Sequence, residues 1–208
     1  MPRTIQISKT VYSIEDLINN IEYADIKQEV LEKYYNINTD NNWYEGVYEA
    51  KTEELKGFGF DVEKIMFSGF ASQGDGAMFE GDFRLDWQTD IDIINIYIKN
   101  PRIAKLVKNG NISVLCNFTH SGHYYHEKSY KYSFDIEHNG SKYSIEDYPN
   151  IYSTLNNLED EITSDYETKC KEIYRSLEES YDYLTSEKVI IETFQANEYE
   201  FDEFGNII

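Results

Sequence analysis

From residue 151 onward, apolar side chains recur every three or four positions: Ile151, Leu155, Leu158, Ile162, Tyr166, Cys170, Ile173, Leu177, Tyr181 and Leu184. That period is one face of an amphipathic α-helix, and at ~1.5 Å per residue the stripe would run roughly 50 Å if unbroken. A stripe of this length has to be buried against a second layer, so it limits the folds open to the chain. Asp147-Tyr148-Pro149 can start the helix, with proline in its first turn. Ser164-Asp165-Tyr166-Glu167 is itself a capping box, so two helices end to end also satisfy the pattern.

The preceding residues supply the second layer. TIQISKTVYS (4–13) alternates like a strand, and Ser13-Ile14-Glu15-Asp16 then opens a helical region through Leu17, Ile18, Ile21, Ile26, Val30, Leu31 and Tyr34, with a break near Tyr23-Ala24. Trp43, Val47, Ala50 and Leu55 mark a second helix, stopped at Gly57-Phe58-Gly59. From Lys64 the period changes to two, in residues 64–70, 77–87 and 111–120. Residues 91–110 read as a helix or helix pair around Pro101, and 129–147 as a hairpin whose arms meet at His138-Asn139-Gly140. A short helix at 186–195 and a terminal strand or tail at 198–208 follow. The expected fold is α+β: an antiparallel sheet of about five strands, N-terminal helices and a long acidic C-terminal helical region. The expected division is a core domain over 1–145 and an acidic helical element over 146–208 packed on it.

Composition restricts the function classes. Of 208 residues, 40% are apolar and nineteen are tyrosine, enough for a sizeable core without cross-links. The two cysteines, Cys116 and Cys170, lie far apart in half-buried patterns, which suits a reduced cytoplasmic protein better than a disulfide framework. No signal peptide and no apolar run of about 18 residues is legible, so no membrane association is expected. The net charge is −20, and residues 146–208 carry 17 acids against 4 bases. Such a field repels phosphate backbones and attracts a basic groove, so direct nucleic-acid binding is disfavoured. The acids Glu159, Asp160, Asp165, Glu172, Glu178, Glu179 and Asp182 occupy the polar positions of the long helix and are the candidate partner-binding face. A merely solvated helix surface would show the same pattern.

Two loops carry the remaining candidates. In FSGFASQGDGAMFEG (67–81), Gly74 and Gly76 can form a nest of backbone N–H groups, but Asp75 between them works against a phosphate. The flanks are strand-like and Asp75-Gly76 is a favoured two-residue turn, so a plain hairpin explains the stretch. Ser68, Ser72, Gln73 and Asp75 are more polar than a bare turn requires and form a candidate ligand or partner loop. In THSGHYYHE (119–127), His120, His123 and His126 recur at steps of three, and His120 and His126 can face each other across a turn. A divalent metal completed by Glu80, Asp82 or Glu127 is the alternative there, against a histidine- and tyrosine-rich hairpin surface. The two loops can line one cleft if they emerge at the same end of the sheet. No Ser/His/Asp triad, dinucleotide fingerprint or catalytic-cysteine context appears, and no cofactor is expected.

The motif F-S-G-F-x-S-Q-G-D-G-A-x-F-x-G at 67–81 resembles one found in uncharacterised bacteriophage and prophage proteins. Residues 121–129 and the C-terminal 200–207 resemble the same group, and together these stretches span about half of the chain. The resemblance implies a phage origin, a shared sheet core and no established activity. Small acidic phage proteins often act by binding to host defence or host machinery. By that analogy the expected function is inhibition of a host defence complex (anti-CRISPR-like) or a nucleic-acid-processing complex by protein–protein contact in the host cytoplasm. The partner would be a host protein with a basic surface. The alternatives are a small-ligand or metal-binding protein or hydrolase using the two loops, and an oligomer paired through its long helix.

Overall fold

The computed structural model describes residues 9–39, 42–138 and 149–208. In chain order the elements are β1 (Tyr12–Ser13), α1 (Ile14–Asn19), a 3₁₀ turn (Ile21–Tyr23), α2 (Ala24–Lys33), α3 (Glu45–Lys56), β2 (Phe60–Ser68), β3 (Gly76–Leu85), α4 (Ile91–Tyr97), α5 (Pro101–Lys108), β4 (Ile112–His120), β5 (Tyr130–His138), α6 (Pro149–Leu184), α7 (Glu187–Ala196) and β6 (Glu200–Phe201). Local chemistry accounts for most of the helix starts. Ser13 and Asp16 exchange both bonds of a capping box, and Asn20, Asp90, Asn100 and Ser186 each accept a backbone N–H at a helix start. Pro101 follows its cap in the first turn of α5, which separates α4 from α5.

The fold is α+β, with a four-stranded antiparallel sheet ordered β2-β3-β4-β5 and a two-stranded sheet of β1 and β6. Residues 4–8, half of the strand expected over 4–13, and the second arm of the hairpin expected over 129–147 lie outside the described residues, and within 9–13 only Tyr12–Ser13 are strand. The first arm of that hairpin is β5.

Two compact units divide the chain: Met1–Trp43 with Glu179–Ile208, and Tyr44–Glu178. The division falls inside α6, not at residue 145, because Leu155 to Leu177 bury their stripe within the second unit. The first unit packs Ile14, Leu17, Val30, Ile190, Phe194 and Phe201 into one cluster. Tyr34 seals it: its ring meets Phe194 edge-on at 5.9 Å, and its hydroxyl accepts a bond from Ile207 N at 2.9 Å.

The second unit stands on α6 and the sheet. Strand β4 alternates buried Ile112, Val114, Cys116 and Phe118 with half-buried neighbours, as a sheet with one covered face requires. Leu155, Leu158, Ile162, Tyr166, Cys170, Ile173 and Leu177 are all buried, so α6 is one continuous helix of 36 residues. Ser164 does not cap a second helix. Its carbonyl accepts from Thr168 Oγ1 at 2.9 Å, and an extended cap there would break the stripe between Ile162 and Tyr166.

Tyr166 is the centre of this packing. Its ring stacks on Phe118 at 4.0 Å and 4°, lies 4.6 Å from Phe79 and 4.7 Å from Tyr130, and its hydroxyl donates to Phe79 O at 2.6 Å. Further phenols tie α6 down on both flanks: Tyr132 donates to Glu159 at 2.9 Å, Tyr130 to Glu167 at 3.3 Å, and Tyr97 to Asp165 at 2.6 Å. Replacing Tyr166 with Phe strips the buried Phe79 carbonyl of this donor and is expected to cost about 1–3 kcal/mol. Tyr166→Ala should cost about 3–5 kcal/mol. Urea unfolding checks both, as a lower midpoint at an unchanged slope.

Burial also sets an alkaline limit. It pushes the Cys116 and Cys170 thiols up to about 12, and it raises the Tyr97, Tyr130 and Tyr166 phenols above their ordinary range, with Asp165 adding to the shift at Tyr97 and Glu167 to that at Tyr130. Unfolding returns thiols to about 8.5 and phenols to about 10. Above those values the unfolded chain has lost protons that the folded chain keeps, so stability is full below about pH 8.5 and falls as pH rises toward 12. Urea midpoints taken from about pH 8 to 11 should decline steadily, each group adding up to ~1.4 kcal/mol per pH unit.

Candidate functional site

The candidate region is built at the end of the sheet where β2 turns into β3. Ser68 pairs with Gly76, so the connection is the seven-residue loop Gly69–Asp75 and Asp75-Gly76 is not a two-residue turn. Two aromatic contacts open the loop: Phe70 lies 5.5 Å from Tyr174 of α6 and 5.8 Å from Phe67. Tyr174 also donates to Gly69 O at 3.2 Å. Asp75 then closes the loop from inside, its Oδ2 accepting from Ala71 N at 2.9 Å and Ser72 N at 2.6 Å. The N–H groups of Ala71 and Ser72 are therefore occupied by the loop's own carboxylate, which works against an anion there. Ser72 and Gln73 are exposed on its outer side.

The histidine segment connects β4 to β5 and packs directly on this loop. A Cβ at Gly74, whose φ is +92°, would stand 2.6 Å from the Tyr124 ring, and one at Gly76 would stand 2.6 Å from His126 Cβ. Only glycine permits both approaches. The two loops thus share one end of the sheet, and the metal set is not assembled there. His120 Nε2 donates to Tyr124 O at 3.2 Å, His126 Nδ1 accepts from Lys128 N at 3.1 Å, and His123 is exposed. Glu80 accepts from His120 N, Asp82 from Asn117, and Glu127 lies 3.7 Å from Lys171 of α6. Among the described residues, no three His, Cys, Asp or Glu side chains come together to hold a metal ion.

The acids of α6 divide by role. Glu159 and Asp165 turn inward to Tyr132 and Tyr97, and Glu172 pairs with Lys169 at 3.0 Å. Asp160 and Glu178 are exposed, and Asp160 joins Glu161, Ser164, Asp165 and Thr168 around a shallow depression. Glu179 and Asp182 belong to the other compact unit and are exposed in it. The helical spacing alone did not separate these acids, because it does not say which polar positions meet tyrosines of the sheet.

A feature absent from the sequence reading lies beside β2. An open groove of about 720 Å³ runs between α3 and β2, with Tyr125 from the histidine segment at its lining. Tyr44 and Tyr48, one helical turn apart, lie 4.9 Å from each other and 5.6 and 6.4 Å from Phe67. Burial, with Tyr44 adding to it, pushes the Tyr48 phenol up to about 12. Glu49 and Glu53 of α3 and Glu63 and Lys64 of β2 also line the groove. The i, i+4 pair of tyrosines was the available signal, and its meaning depends on which strand α3 flanks.

An acidic α+β protein with a four-stranded antiparallel sheet backed by one long helix is the class that this architecture defines. Residues 43–187 match the family described as Domain of unknown function (DUF8835), and the chain belongs to that family. The match takes in the four-stranded sheet, both loops, the groove and all of α6. No curated protein and no solved structure matches the chain.

Ser68 supplies a local test. Its hydroxyl is the one buried side-chain polar atom without a hydrogen-bond partner among the described residues. Ser68→Ala is expected to be neutral or stabilising by up to about 1 kcal/mol, since it removes a desolvated and unpaired group. Gly76→Ala should cost about 1–3 kcal/mol by forcing the two loops apart. Thermal melting of both variants checks the pair, and a loss at Ser68→Ala would assign its hydroxyl a partner.

Proposed function

We propose that this protein acts by binding a basic macromolecular partner through protein–protein contact, as a phage-type inhibitor of a host defence or nucleic-acid-processing complex. The observation that carries the reading is the uncompensated charge on the outer side of α6. Asp160, Glu161 and Glu178 are exposed and have no ion-pair partner among the described residues. Around them the whole chain carries −20. A surface of this kind speeds encounter with a basic groove and repels free nucleic acid. The phage assignment is supported by the resemblance of the loop motif at 67–81 and of residues 121–129. Binding also agrees better than catalysis with the loops themselves, where Asp75, His120 and His126 are engaged in holding the backbone.

Affinity capture from host lysate, read by mass spectrometry, tests the proposal. A specific basic partner should be retained at low salt and released at about 0.5 M salt, where exposed charges are screened within a few ångströms. The triple variant Asp160→Lys, Glu161→Lys, Glu178→Lys should fold normally and lose the partner. Retention by the triple variant, or binding indifferent to salt, would overturn the acidic-surface reading. All three positions are solvent-facing, so their effect on melting temperature should stay small.

A further inference from the structure

We infer that the groove between α3 and β2 is a second binding site, distinct from the acidic surface of α6, and that it takes an extended peptide segment with alternating basic and apolar residues. The segment would add to the sheet as a strand along the outer edge of β2.

Three observations carry this. First, β2 is an edge strand. It pairs only with β3, and beyond β3 no backbone hydrogen bond reaches Val62–Met66 among the described residues. A register shift against β3 sets Glu63 out of the pairing, and on either side of it alternate N–H and C=O groups of the strand point away from its partner and can bond an incoming chain. Second, the groove has the size and walls of a peptide site. Its volume of about 720 Å³ lies beside a helix that flanks the edge strand, an arrangement known to seat extended peptides. The lining strand from Val62 to Phe67 would span about 20 Å at about 3.3 Å per residue, so a segment of about six residues fits. Third, charge selects the occupant. Glu49 and Glu63 have no ion-pair or hydrogen-bond partner among the described residues, Glu53 is paired with Lys56, and Lys64 is the single base in the lining. Lysine or arginine on the incoming strand would meet Glu49 and Glu63, and its apolar residues would meet Tyr44, Tyr48 and Phe67. A second copy of this chain suits the groove less well, because each copy brings −20 to the contact.

The test uses the full chain and a synthetic probe, a blocked six-residue peptide of alternating lysine and valine labelled for fluorescence anisotropy. Saturable binding is expected, together with slowed amide exchange at residues 62–67. The same peptide N-methylated at alternate backbone positions keeps its charge but cannot pair as a strand, and should bind at least about tenfold more weakly. A glutamate-valine peptide should not bind. The double variant Glu49→Lys, Glu63→Lys changes exposed positions and should weaken binding about tenfold with an unchanged melting temperature. Equal binding of the N-methylated peptide would overturn strand addition in favour of charge alone. No saturable binding, or protection confined to α6, would overturn the site. Self-association of the free protein that blocks the probe would assign the groove to a second copy instead. The triple variant on α6 should bind the probe as the wild type does, so this inference and the proposed function fail independently.

Discussion

The Tyr44–Glu178 unit depends on one side chain placed between a helix and a sheet. Tyr166 stacks flat on Phe118 and donates its hydroxyl to the backbone of Phe79, so a single residue fixes both the height of α6 over β3 and β4 and its position along them. A phenol can do this because its ring is apolar while its tip still needs a partner, and the low-dielectric interior strengthens the bond it finds. The same device recurs at Tyr97, Tyr130 and Tyr132, which tie α6 through Asp165, Glu167 and Glu159. Four of the nineteen tyrosines are thus explained by contacts of α6 with the sheet and with α4.

This anchoring decides which polar groups are left for function. Carboxylates that receive a phenol are committed to the fold, while Asp160, Glu161 and Glu178 face solvent. The two loops at the end of the sheet are fixed in a similar way. Asp75 fills its own loop, Tyr174 and Phe70 hold that loop to α6, and the glycines at 74 and 76 let the histidine segment pack against it. The stretch forms a corner of the sheet against which the histidine segment packs, and Tyr125 of that segment lines the β2 groove. Close approach of the histidine segment accounts for the glycines at 74 and 76.

How much was legible in the sequence follows from the range of the interactions involved. The capping box at Ser13 and Asp16, the helix around Pro101, the strand expected at 111–120 and the apolar stripe of α6 all rest on neighbours within a few residues, and each is present, with the helix around Pro101 resolved into a pair. The capping box at Ser164 was equally local, yet it lost to the stripe, because many buried contacts outweigh one cap worth about 1 kcal/mol. The Asp75-Gly76 turn is replaced by a seven-residue loop in which Phe70 reaches Tyr174 of α6, a contact about a hundred residues apart that no local pattern signals.

By itself the sequence determined the class of fold, the amphipathic stripe from Ile151 to Leu184, and a net charge of −20. Periodicity and net charge are properties of the chain, so no tertiary contact was needed to read them. Only the tertiary structure decided that the stripe is one helix, which acids are exposed, which histidines are already satisfied, and that α3 stands beside the edge strand β2. Each of those depends on residues tens of positions apart meeting across a layer: Tyr132 with Glu159, Gly76 with His126, Tyr44 with Phe67. No local pattern encodes such meetings, because the side chain that satisfies a polar group is chosen by packing and not by spacing.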